Sequence, residues 1–181
     1  MGTLSNETVM TLGLIGLGVY FSVLLYRGFR GYFLFRRLRP TAVLTWRVRR
    51  PPYFRFLLGL GIVSTGLTIL NSYLGRPFHH VYGQAAMALY FVLLVPLTST
   101  IHLGLYRDGV WADTGFLPYA RIGRMAFRET PEIVLILLPR GGGTPSFTLP
   151  VPPDEYGRVR KLLEEKKRAN ELKPDSGILG L

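Results

Sequence analysis

Residues 8–26 read TVMTLGLIGLGVYFSVLLY, nineteen positions without one charged side chain. A helix rises about 1.5 Å per residue and a bilayer core is roughly 30 Å thick, so a run of this length suffices to cross a membrane. Two more runs follow. Residues 56–75 (FLLGLGIVSTGLTILNSYLG) are twenty long, and residues 81–106 (VYGQAAMALYFVLLVPLTSTIHLGLY) are twenty-six long, charge-free apart from a proton on His102. Any one of them alone could be a buried core helix; three within the first 106 residues favour membrane spans. The flank of the first, MGTLSNE, carries no Lys or Arg, and no small-residue cleavage site follows the apolar run. A retained anchor is therefore expected rather than a signal peptide.

The charges are as unevenly placed as the apolar runs. The 181 residues hold 22 Lys plus Arg against 11 Asp plus Glu, a net charge of +11, yet 48% are hydrophobic and mean hydropathy is +0.24. Such a chain is too apolar for disorder. Having no cysteine, it has no disulfide framework, thiolate zinc site, iron–sulfur cluster or cysteine nucleophile. Between Thr8 and Tyr106 there is no Asp or Glu and there are ten arginines, nine of them in the first loop, 27–55, and one in the second, 76–80. Residues 108–181 hold 11 basic and 10 acidic residues and are nearly neutral. Basic loops stay in the cytoplasm. The expected topology is therefore N-terminus outside, first loop inside, second loop outside and C-terminal part in the cytoplasm, in a multi-pass protein of the cytoplasmic (inner) membrane.

The spans offer little chemistry. They contain no Asp, Glu, Lys or Arg, the groups that ion pathways usually need. His79 and His80 lie in the outer loop, and His102 is 22 residues further on, about 33 Å along a helix, so the three cannot share a metal or haem. Pro96 is expected to kink the third span. Gly13, Gly16, Gly18, Gly59, Gly61 and Gly66 suit close helix packing; the run GLIGLG lacks the spacing and strand context of a dinucleotide fingerprint. The first loop interleaves arginines with Phe29, Tyr32, Phe33, Phe35, Trp46, Tyr53 and Phe54. In a loop between spans this pattern points to anionic lipid, with Arg27, Arg30, Arg36, Arg37, Arg39, Arg47, Arg49 and Arg50 on the lipid surface, rather than to nucleic acid. Tyr20, Tyr26, Trp46, Tyr53, Tyr73, Tyr82 and Tyr106 are expected at membrane boundaries. Residues 41–50 alternate Leu44, Trp46 and Val48 with Thr45, Arg47 and Arg49, which predicts a short strand that joins the cytosolic part.

From Arg107 onward, turn residues punctuate short apolar runs. Asp108-Gly109, then VWA, then Asp113-Thr-Gly115, then FLPY, reads as a tight hairpin. Strands are expected at 121–127, 133–138 and 146–149, with the glycine run in 140–144 as a loop. Pro152-Pro153-Asp154-Glu155 opens a helix whose apolar stripe is Tyr156, Val159, Leu162 and Leu163, and 173–181 is expected to be a flexible tail. Gly109, Val110, Gly115, Phe116, Tyr119 and Ile122, within LYRDGVWADTGFLPYARIGRMAF, resemble the opening of bacterial membrane-anchored pleckstrin-homology-like (PH-like) domains, in particular membrane proteins of the DUF5673 type. The resemblance spans about residues 106–166 and implies a fold and a membrane setting, with no catalytic residues. The expected fold class is three transmembrane helices (8–26, 56–75, 81–106) followed by a small β-rich PH-like barrel or sheet, residues 107–172, capped by one C-terminal helix.

Function is expected to be non-enzymatic: an interaction domain presented to a protein segment or to anionic lipid, with Arg107, Arg121 and Arg124 as the interaction face. The alternative is an accessory or assembly subunit of a larger membrane complex. Asp108 and Asp113, the acids nearest the inner face, sit in turns where Asp serves backbone hydrogen bonding. No catalytic residue, metal site or cofactor is expected, and anionic lipids plus a protein partner, rather than nucleic acid, are the expected partners.

Overall fold

A computed structural model of the chain describes residues 6–47, 52–141, 145–169, 171–172 and 179–180. Arg49 and Arg50, most of the glycine run and most of the expected tail lie outside these residues. Three helices are long and apolar enough to cross a membrane. The chain divides into two compact units, Met1–Leu34 with Arg49–Ile101, and Phe35–Val48 with His102–Leu181.

The first unit is helical. Helix α1 (Asn6–Leu38) begins where expected but runs twelve residues past Tyr26, so much of the expected basic loop is helix. Nothing in RGFRGYFLFRRL stops a helix until Pro40, which disfavours helical backbone at the residue before it. Helix α2 (Phe54–Tyr73) holds Ser64, Thr65, Thr68 and Ser72, each donating its hydroxyl to the carbonyl four residues earlier at 2.7–2.8 Å. Their polarity is thus satisfied inside the helix, as an apolar solvent requires. Gly75, at φ +63°, turns the chain into α3 (Phe78–Leu89). A π turn at Tyr90–Leu94 and the short helix α4 (Val95–Thr98) continue it. Pro96 has no N–H to give the carbonyl of Val92, and the wider π turn just before it accommodates that gap.

Glycines let these helices meet. A methyl at Gly18 would collide with the Tyr82 ring, at Gly28 with Leu94, and at Gly61 with Phe91 and Val92. Phe21, Ala86 and Phe91 form the buried centre; Ser22 Oγ and Tyr82 Oη are hydrogen-bonded at 2.8 Å, and Asn71 Nδ2 donates to Gln84 Oε1 at 2.8 Å. Much of the apolar surface remains outward, including Ile62, Val63, Ile69 and Leu70, as is compatible with helices apolar enough to cross a membrane.

The run 81–106 does not stay helical. Helix ends at Thr98, where Thr98, Ser99 and Thr100 hydroxyls bond back to carbonyls of the last turn, and His102–Tyr106 is strand β2. The apolar pattern of Ile101–Tyr106 fits either state; pairing decides it. β1 (Ala42–Arg47) runs antiparallel to β2, with Arg47 opposite His102 and Ala42 opposite Tyr106. The strand expected in 41–50 is therefore present and joins the β unit.

The second unit holds two small sheets, ordered β1-β2-β3-β4 and β7-β6-β5-β8. β3 (Gly109–Ala112) and β4 (Gly115–Pro118) form the expected hairpin, with Val110 opposite Leu117. β5 (Ile122–Arg128), β6 (Val134–Pro139) and β7 (Phe147–Pro150) form an antiparallel meander, and α5 (Tyr156–Arg168) follows. The sheets do not close into a barrel. Leu105, Val110, Ile122, Met125, Leu135, Leu137 and Leu149 are almost fully buried, with Val159 and Leu163 of the expected helical stripe. β8 (Leu179–Gly180), within the stretch expected to be a flexible tail, pairs in parallel with Ala126 and Phe127 of β5.

Candidate functional site

Strand alternation gives the first sheet two unlike faces. Trp46, Leu103, Leu105, Val110 and Leu117 share one, set by their register. This face turns to the second sheet: Trp46 Nε1 donates to the Pro150 carbonyl at 2.9 Å. Asp113 joins the sheets at another point. Its Oδ1 accepts from the N–H of Thr114 at 2.7 Å and of Thr148 at 2.8 Å, while its own N–H donates to the Thr148 carbonyl. The carboxylate thus serves the backbone, as its turn position suggests.

The opposite face carries Arg47, His102, Gly104, Tyr106, Trp111 and Phe116, and the last turn of α1 lies over it. The Phe35 ring meets Trp111 edge-on at 5.5 Å and stacks on His102 at 6.1 Å. Trp111 in turn packs on Phe116 at 5.9 Å and Tyr106 at 6.3 Å. Arg47 Nε donates to His102 Nε2 at 3.3 Å. The close approach of β1 needs Gly104, whose φ is +143° and where a methyl would strike the Leu44 carbonyl and the Thr45 backbone.

Around this aromatic face stand arginines. Arg36 and Arg37 end α1, Arg39 starts the 3₁₀ turn to β1, and Arg47 ends that strand. All four are exposed. Arg107, also exposed, follows Tyr106, and its N–H donates to the Thr41 carbonyl at 2.9 Å. Burial pushes the Tyr106 phenol up to about 12, with the Arg39 guanidinium lowering it in part. Arg39 and Arg107 therefore flank one end of the β1–β2 ladder and Arg47 the other, about 17 Å apart for five strand residues.

The other sequence-derived residues separate from this group. Arg27 and Arg30 are exposed on the part of α1 in the first unit. Arg121 precedes β5 and Arg124 lies within it, both exposed. Three aromatics expected at a membrane boundary have other tasks: Trp46 bonds the Pro150 carbonyl, Tyr106 is 1% exposed and donates to the His102 carbonyl at 3.0 Å, and Tyr82 fills the space at Gly18. Phe35, read as an interfacial aromatic, is a buried anchor, 4% exposed. On a 3.6-residue helix Phe35 is no further from the arc of Arg27, Arg30 and Arg37 than Phe29 is, so helical position alone does not mark its burial.

Among the described residues no group of three or more His, Cys, Asp or Glu is placed to hold a metal ion. The aromatic cluster is filled rather than open, since Phe35 covers it and Tyr106 and Trp111 are 1% and 4% exposed; what the face presents outward is the charge of the arginines around it. The chain matches no family model, and no curated protein or solved structure matches it.

Proposed function

We propose that this chain is a non-enzymatic integral membrane protein that presents its β unit in the cytoplasm to the anionic lipid surface and to a protein segment. The observation that carries this reading is the exposed set Arg27, Arg30, Arg36, Arg37, Arg39 and Arg47 in a stretch without acids. Each arginine near anionic headgroups contributes about 1 kcal/mol, so several act together strongly where one would not. The cytoplasmic side follows from the same charges. Pairing of β1 with β2 fits this topology without choosing the side: Arg47 and His102 lie in one sheet, so the chain between them crosses an even number of times, and α2 and α3 supply two crossings. The order of elements, four strands, then three, then a helix, supports a PH-like module with a membrane hairpin inserted between its first two strands.

The test is reconstitution of the whole chain into bilayer discs with and without anionic lipid, followed by limited trypsin digestion. Cleavage after Arg36, Arg37 and Arg47 should slow markedly in the anionic discs. Equal rates in the two would sink the lipid part of the proposal.

A second reading, an accessory subunit of a larger complex, has its own support. Gly13, Gly16, Gly59 and Gly66 have open space where a side chain would be, which leaves shallow helix faces for partner helices. A stoichiometric membrane partner that co-purifies in mild detergent and is lost on Gly59→Leu with Gly66→Leu supports it. A lone monomer or homodimer argues against it.

A further inference from the structure

We propose that the outer edge of β5 is a docking edge for an extended apolar peptide, and that the chain's own C-terminal strand occupies it in cis. This deepens the protein-segment part of the preceding proposal and rests on it.

β5 is bonded along one side to β6 from Ile122 to Arg128. On its other side the described residues place only β8, two residues in parallel register, Leu179 beside Ala126 and Gly180 beside Phe127. Edge strands with free main-chain groups recruit other strands, and addition of a peptide strand is a common mode of recognition. Here the occupant does not arrive by a hairpin. Leu172, 1% exposed, pins the chain after α5, where its N–H and that of Glu171 donate to the Lys166 carbonyl and Lys166 Nζ pairs with Glu171. Seven positions then separate Leu172 from Leu179, a reach of about 23 Å when extended. A leash that short holds the tail at an effective concentration on the order of millimolar.

The occupant is also replaceable. Parallel pairing is slightly weaker per residue than antiparallel pairing, and two residues cover less than half of a seven-residue strand. The tail, PDSGILGL at 174–181, defines the ligand chemistry: small and branched apolar residues without positive charge. Arg124 and Arg128, exposed on β5, disfavour basic segments at the same edge. A cytoplasmic partner that carries such a segment displaces the tail, so the site is open only to ligands that outcompete it.

The test uses a fluorescent peptide of sequence PDSGILGL and the protein in zwitterionic detergent micelles without anionic lipid, so that loss of lipid binding and loss of peptide binding are separate results. A chain that ends at Lys173 should bind the peptide saturably, with anisotropy unaffected by a scrambled peptide. The intact chain should bind it about tenfold more weakly or worse. Full-length Leu179→Asp, which keeps the tail but weakens its docking, should recover binding, and it decides the matter where truncation harms folding. Equal binding by intact and variant chains, or no binding by variants whose tryptophan emission and melting match the intact protein, overturns the proposal.

Discussion

The Phe35 ring, in the last turn of the first helix, stands edge-on to the Trp111 indole at a centroid distance of 5.5 Å, and each residue is 4% exposed. A residue from the basic stretch between two spans is thus part of the core of the β unit. Both tryptophans, Trp46 and Trp111, belong to that unit, so tryptophan fluorescence reports its unfolding.

Phe35→Ala should lower the stability of the β unit by about 3 kcal/mol, the usual cost of deleting a buried phenylalanine. Phe33→Ala, two positions away and 61% exposed, should change it by less than about 0.5 kcal/mol. Denaturant titration in micelles, followed by tryptophan emission, distinguishes them; equal effects would show that Phe35 is not an anchor.

Two glycines with positive φ should respond differently to alanine. Gly104 combines φ +143° with backbone atoms in the way, whereas Gly115 has φ +128° and open space. Strain alone at Gly115 should cost about 1 kcal/mol. Gly104→Ala must also separate β1 from β2 and should cost more than about 3 kcal/mol, or prevent folding. The same melts, compared side by side, check the order.

Alkaline pH should unfold the β unit before it deprotonates its buried tyrosines. Tyr119, 4% exposed, donates to the Tyr106 carbonyl at 3.0 Å, and burial, then the nearby Glu171 and Asp108, raise its pKa; Tyr106 is pushed to about 12. A folded pKa above the unfolded value of about 10 contributes stability that is complete below pH 10 and falls as pH rises through the folded value, by about 1.4 kcal/mol per pH unit for each group. Tyrosine absorbance and tryptophan emission, recorded from pH 8 to 12, should show a cooperative step above pH 10. Tyr119→Phe should make the loss with pH shallower; an unchanged slope would refute the assignment.

Topology is testable because the chain has no cysteine. Ser5→Cys and His79→Cys should react with a membrane-impermeant maleimide in intact cells, and Ser146→Cys only after permeabilisation. Labelling of Ser146→Cys in intact cells would reverse the orientation.

Local pattern made much of this protein legible. The three apolar runs, the missing acids of residues 8–106, the Asp108–Tyr119 hairpin and the Val159/Leu163 stripe each follow from side chains within one helix, strand or turn of one another. Even the alternation around Trp46 announced β1. The site was half legible: its arginines stand out in the sequence, but their arrangement does not, since only the β1–β2 ladder brings Arg107 to the end where Arg39 stands and sets Arg47 at the other.

What the sequence by itself determined is therefore the presence of three helices long and apolar enough to cross a membrane and the kind of each long element, because hydrophobic length and short-range periodicity are local quantities. Tertiary structure alone decided the rest. Ile101–Tyr106 is as apolar as the helix before it and became strand because β1, with Arg47 55 positions from its neighbour His102, offered backbone partners there. Phe35, expected at a lipid boundary, is instead in a protein core because the aromatic face of the first sheet packs its ring. Leu179 and Gly180 became strand because β5 has an edge that no other described strand pairs with. Each of these outcomes depends on groups far apart in the chain, whose meeting no local pattern encodes.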